Sequence, residues 1–215
     1  MTVPSVRVSE IFFSLQGESS RVGLPTVFIR LTGCPLRCSW CDTEYAFTGG
    51  ETKPIAEVVA EAGRHGTRTV CVTGGEPLAQ KNCLPLLAAL CDAGFDVSLE
   101  TSGALDIGSV DPRVSRIMDL KAPGSGESDK NLWTNLARLT ARDEVKIVVA
   151  DRADYEWARG VIAEHRLTER CPVLLSPVQG RLAPSDLADW ILADRLPVRF
   201  QLQLHKVLWG NMRAK

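Results

Sequence analysis

Apolar residues along the chain follow two alternating rhythms. Runs rich in Val, Ile and Leu, with little polar alternation, recur at Val27–Thr32, Thr69–Thr73, Asp96–Glu100, Arg116–Lys121, Val145–Val149, Val173–Ser176 and Val198–Leu204. Strands buried on both faces read this way, as in a parallel sheet. Between the runs the period lengthens to that of a helix. Ile55, Val58, Val59 and Ala62 keep one apolar face, Leu84, Leu87, Ala88 and Cys91 a second, and Leu187, Ala188, Ile191 and Leu192 a third, with Pro184 near its start. Strands alternating with helices predict parallel pairing through crossovers. A complete eight-unit barrel takes about 250 residues. This chain has 215, and its link from Thr101 to Pro112 is too short for a crossover helix. The expected fold is α/β, an incomplete TIM-like barrel of about six parallel strands with helices outside. No repeat, linker or low-complexity run divides the chain, so one domain is expected over residues 1–215.

Polar motifs close these strands at one end. Thr73-Gly-Gly-Glu-Pro77, Glu100-Thr-Ser-Gly103, Asp119-Leu-Lys121 and Ser176-Pro-Val-Gln179 each follow an apolar run, and Gln203 and His205 close the last. Parallel α/β folds collect function at the C-terminal ends of strands, so the asymmetry points to one shared active-site face. Gly74 and Gly75 permit close backbone approach. His205 is read as part of an alternating terminal strand. Asp42-Thr43, by sequence alone, reads as a helix or turn cap.

Composition narrows the classes. Hydrophobic residues make up 45% and charged residues 24%, with a net charge of −1. That is an ordinary globular balance, and no basic stripe marks a nucleic-acid partner. No apolar stretch approaches the ~20 residues of a membrane span, and residues 1–4 do not open a secretory leader. A cytoplasmic protein is expected. Seven cysteines make an odd count for a disulfide framework. Cys71, Cys83, Cys91 and Cys171 lie in apolar surroundings and read as small buried hydrophobes. Cys34, Cys38 and Cys41 are different, because they stand in a C-x3-C-x2-C loop directly after a strand. Structural zinc sites use four ligands, usually in two pairs, and no second pair lies nearby. Three thiolates suit a 4Fe-4S cluster with one open iron. Zinc and a reactive thiol loop remain open at this point. Trp40 reads as cluster shield, adenine stack or plain packing aromatic.

With the cysteine spacing and the Gly-Gly-Glu-Pro motif, the chain resembles the radical S-adenosylmethionine superfamily. More narrowly it resembles the 7-carboxy-7-deazaguanine synthase family. That match rests on Leu15-Gln-Gly-Glu18, Phe28-Ile-Arg30, Cys41-Asp-Thr43, Thr73-Gly-Gly-Glu-Pro77, Glu100-Thr-Ser-Gly103, Asp119-Leu-Lys121, Ser176-Pro-Val and Gln203-Leu-His-Lys206, and it spans nearly the whole chain. The resemblance implies a 4Fe-4S cluster on Cys34, Cys38 and Cys41, S-adenosylmethionine, and Mg2+ on Thr43. It implies cofactor contacts from Trp40, Gly75, Glu76, Ser102, Asp119, Leu120, Lys121, Ser176 and Gln179. It implies substrate contacts from Leu15, Gln16, Gly17, Glu18, Arg30, Thr73 and His205, with Arg30 pairing a substrate carboxylate. No residue is singled out as a catalytic acid or base. The implied reaction converts 6-carboxy-5,6,7,8-tetrahydropterin to 7-carboxy-7-deazaguanine with loss of ammonia, on the route to queuosine. A homodimer and an external electron donor such as flavodoxin are implied as well. Other readings are a glycyl-radical activase, or a non-catalytic redox module whose fourth iron ligand comes from the protein. The polar loop Gly124–Lys130 and the tail Val207–Lys215 are assigned no role.

Overall fold

The structure, a computed structural model, describes residues 3–215; Met1 and Thr2 of the N-terminal segment lie outside it. Nine strands form one open sheet in the order β3-β1-β2-β4-β5-β6-β7-β8-β9. These are β1 (Ser5–Leu15), β2 (Pro25–Leu31), β3 (Glu51–Pro54), β4 (Thr69–Gly74), β5 (Asp96–Thr101), β6 (Ser115–Leu120), β7 (Glu144–Val149), β8 (Val173–Pro177) and β9 (Arg199–Phe200). From β2 through β9 every neighbouring pair is parallel. The six predicted strands that end in functional motifs sit in that run, and the sheet stays unclosed, a partial barrel. β1 adds two antiparallel pairings, with β2 and β3. The helices are α1 (Ile55–Gly63), α2 (Cys83–Asp92), α3 (Arg152–Glu164), α4 (Pro184–Ala193) and α5 (Leu204–Trp209). None is long and apolar enough to cross a membrane.

The apolar runs conceal a period of two, because successive strand side chains point to opposite faces. Ile29, Leu31, Val70, Val72, Leu99, Leu120, Ile147 and Leu175 face the helices, joined there by Leu86, Leu87 and Leu90 of α2, all at most 1% exposed. Each such side chain contributes about 1.5–3 kcal/mol on burial. The alternate positions, Arg30, Thr73, Glu100, Asp119, Lys146 and Ser176 among them, carry polar groups to the other face. Register stacks them, with Arg30 beside Thr73 and Asp119 beside Lys146.

The last predicted strand, Val198–Leu204, is corrected. Only Arg199 and Phe200 pair, with Leu174 and Leu175. Beyond them the Gln201 side chain exchanges two hydrogen bonds with the Ser19 backbone, at 2.7 and 2.8 Å, and Leu204 N donates to Gly17 O at 2.9 Å. These contacts draw the chain off the sheet. His205 therefore lies in α5, not in a strand.

Candidate active site

The cysteine loop is pinned before it meets any ligand. Gly33 N donates to Ala46 O and Glu76 N to Gly33 O, both at 2.8 Å. A Cβ on Gly75 would sit 2.4 Å from Gly33 O and 2.6 Å from Cys34 Cβ, so only glycine lets the two backbones lie this close. Arg37 folds back on the loop's own carbonyls, Cys34 O at 2.9 Å and Leu36 O at 2.6 Å. From the far side the Gly124–Lys130 loop acts as a buttress. Ser39 N donates to Ser125 O and Ser39 Oγ to Gly124 O, both at 2.9 Å, and Arg37 N donates to Glu127 at 2.6 Å. Sequence reasoning gave that loop no role.

Cys34, Cys38 and Cys41 are unpaired, half-buried, and all line one cavity of about 810 Å3. Burial, the largest cause, pushes all three thiols up, so metal binding must displace their protons. Among the described residues no three His, Cys, Asp or Glu side chains converge on a single-ion site. The three thiols share one cavity, and three thiolates without a fourth protein ligand suit a 4Fe-4S cluster with an open iron.

Beside the loop lie the strand ends read as cofactor-binding. Trp40, Gly75, Ser102, Asp119, Lys121 and Gln179 line the cavity. Glu76, Leu120 and Ser176 do not. Glu76 is wholly buried and accepts from Leu78 N at 3.0 Å, Thr101 Oγ1 at 2.9 Å and Ser102 N at 2.6 Å. Its carboxylate thereby locks the end of β4 to the end of β5. Two buried atoms here have no partner, Asp119 Oδ1 and Ser176 Oγ. Orphaned buried acceptors and hydroxyls are costly. Asp119 lines the cavity where a polar cofactor is expected, so the residues present fit one.

The substrate-side residues meet on the same cavity. Leu15, Gln16, Gly17, Glu18, Arg30, Thr73 and His205 all line it. Thr73 Oγ1 donates to Glu100 at 2.8 Å and Gln16 Nε2 donates to the same carboxylate at 3.3 Å. Arg30 Nε donates to Glu10 at 2.8 Å, and neither Nη makes a hydrogen bond among the described residues. Its protein partner is thus Glu10. Phe12 and Tyr45 flank the guanidinium at 5.7 and 5.8 Å. Burial lowers the His205 imidazole against the opposing pull of Glu18, so at neutral pH the ring keeps one donor and one acceptor. A Cβ on Gly17 would fall 2.2 Å from His205 Nδ1, so the ring rests on bare backbone. Thr43 precedes a short 3-10 turn, Glu44–Ala46, without capping it; its hydroxyl donates to Asp42 at 2.8 Å. Lys206 pairs with Asp42 at 2.7 Å. Burial alone would raise the Asp42 carboxyl, but that ammonium holds it well below its ordinary range.

Several lining residues escaped the sequence reading. Glu100 and Gln203 lay inside quoted motifs without a role. Lys146 had one visible signal, a lone cation in the apolar run Val145–Val149. The tail had none, yet Gly210–Lys215 lines the cavity and Arg213 lies 3.6 Å over the Tyr45 ring.

Residues 28–122 match the Radical SAM superfamily. A 7-carboxy-7-deazaguanine synthase of Chlorobaculum tepidum is 47% identical over 212 residues, covering 97% of this chain and 96% of that protein. One of Koribacter versatilis is 42% identical over 219 residues, covering 95% and 97%. The crystal structure of QueE from Escherichia coli superposes with a TM-score of 0.77 at 26% identity, over 94% of this chain and 95% of that one. Streptococcus suis SuiB, in a crystal structure with S-adenosylmethionine, shares the fold alone, with a TM-score of 0.59 at 15% identity over 80% of this chain and 48% of that one. Matched nearly end to end at such identity, the chain belongs to the 7-carboxy-7-deazaguanine synthase family of the radical S-adenosylmethionine superfamily.

Proposed function

We propose that this chain converts 6-carboxy-5,6,7,8-tetrahydropterin to 7-carboxy-7-deazaguanine with loss of ammonia, in deazapurine and queuosine synthesis. One observation carries the reading: a floor of hydrogen-bonding side chains, Gln16, Glu18, Thr73, Glu100 and His205, shares a single cavity with the three free thiols. A glycyl-radical activase or a redox relay has no use for such a floor. The 4Fe-4S cluster and S-adenosylmethionine together supply, when bound, the carbon radical that takes hydrogen from the substrate. Cys34, Cys38 and Cys41 hold the cluster. Ser102, Asp119 and Lys121 hold the cofactor's polar groups, and Trp40 shields it. Gln16 and Glu18 read the edge of the bicycle. Arg30 offers its two free Nη donors to the substrate carboxylate, its Nε already fixed by Glu10. Thr43, with its hydroxyl uncommitted to a cap, would hold magnesium, which would supply positive charge beside the substrate. A cytoplasmic homodimer reduced by an external donor such as flavodoxin fits this reading.

The experiment is anaerobic reconstitution with iron and sulfide, chemical reduction, and assay with S-adenosylmethionine and the pterin. Deoxyadenosine and 7-carboxy-7-deazaguanine should accumulate together. Added magnesium should raise turnover in the parent and lose that effect in Thr43→Ala. Deoxyadenosine without any deazaguanine would refute the substrate.

A further inference from the structure

We infer that Lys146 is a positioning residue for the pterin, fixing the Glu18 carboxylate toward the substrate and tying it to Asp119 on the cofactor side. The inference rests on the function proposed above. Lys146 stands on the cavity face of β7, beside Asp119 of β6 in register. Its side chain is 13% exposed, and its ammonium bonds Glu18 Oε2 closely while lying 3.4 Å from Asp119 Oδ2. Glu18 Oε1 accepts from Gln203 Nε2 at 2.5 Å, so both carboxylate oxygens are held. Asp119 Oδ2 also meets Lys121 at 3.1 Å. The result is a row of alternating charge, Glu18, Lys146, Asp119, Lys121, and all four members line the cavity.

A purely structural ion pair looks different in this same protein. Arg116 and Asp143 pair at 2.5 Å and saturate each other, with Arg116 also donating to Arg138 O. Neither lines the cavity. The Lys146 row crosses the cavity wall, reaches both ligand regions, and leaves Asp119 Oδ1 unpartnered. The other charged groups that act on Glu18 or Lys146 are Glu100 of β5, Asp119 of β6, Lys121 just after it, Asp42 of the cysteine loop and His205 of α5. Within this set Lys146 is the cation that touches Glu18. Burial would raise the Glu18 carboxyl, and Lys146 reverses this to a net lowering. Without the ammonium, burial is opposed only by Gln203 and His205, and the Glu18 carboxyl shifts upward.

The test uses the full, cluster-loaded enzyme with Lys146→Met and Lys146→Arg. Iron content, melting temperature and the response of the reduced cluster's magnetic resonance spectrum to S-adenosylmethionine should stay near the parent's. Lys146→Met should raise KM for the pterin about tenfold or more near neutral pH, with a smaller effect on kcat. That KM should fall back as pH rises by about two units, since Glu18 regains its charge. Lys146→Arg should restore most of the affinity. The neutral pair Glu18→Gln/Lys146→Met should keep a raised KM that no longer varies with pH, and this outcome decides the matter if Lys146→Met alone does not fold. A parent-like KM in Lys146→Met or in the neutral pair, or a loss independent of pH and accompanied by a lower melting temperature, would overturn the inference. Failure of the parent to convert the pterin would instead refute the function itself.

Discussion

Arg30 is divided between structure and ligand. Its Nε belongs to Glu10, two rings flank it, and burial of the guanidinium is offset by Tyr45 and Glu10, so its charge is never in question. Lysine keeps that charge but loses the fork. Arg30→Lys should leave iron content and melting temperature near the parent's and lower pterin turnover about tenfold or more, measured by product formation. Retained turnover with lost stability would make Arg30 a tie for the first strands only. The thiols divide as cleanly. Cys34→Ala, Cys38→Ala and Cys41→Ala should each lose the cluster, read as iron per chain and visible absorbance. Cys71→Ala and Cys171→Ala, whose parents are buried and do not line the cavity, should keep it. At this scale the sequence was legible wherever chemistry needs a rare residue at a fixed spacing, as in the cysteine loop. It was not legible for Lys146, because one lysine in an apolar run looks the same whether it snorkels to solvent or turns into a cavity.

Elements show a different limit. Parallel strands covered by helices announce themselves by runs rich in Val, Ile and Leu, and β4 to β8 follow that rule even with polar residues at alternate positions. β1 does not, since Ser-Val-Arg-Val-Ser-Glu alternates as a half-exposed antiparallel strand does. α3 is polar overall, and its apolar stripe of Tyr155, Ala158 and Ile162 is thin. Yet α3 matters to the site. Its first turn places Asp154, 2% exposed, where the carboxylate accepts from Gly124 N at 2.7 Å and Ala150 N at 3.0 Å. A Cβ on Gly124 would meet Asp154 at 2.6 Å. The helix thus holds the Gly124–Lys130 loop, which in turn holds the cysteine loop. Asp154→Ala leaves two backbone donors without their acceptor and should cost about 1–3 kcal/mol, a fall of several degrees in melting temperature. Iron should then leave the variant faster under a chelator. A stability loss with parent-like iron retention would show that the buttress does not reach the cluster.

For the whole molecule, the open sheet brings the strand ends at Thr73, Glu100, Asp119 and Lys121 to one cavity. The two ends of the chain complete it. Glu18 bonds Gln203 across 185 positions of sequence, and Ser19 bonds Gln201 across 182. The cysteine loop, by contrast, lies on nearby strands, β2 and β4. Contacts so distant in sequence form slowly, because a long loop must close before they repay it. A chain made from its N-terminus releases the cysteine loop and its Gly124–Lys130 buttress before Gln201 and Gln203. Order of assembly follows from connectivity: a nascent chain can guard its thiols in a folded loop long before it is able to hold a pterin.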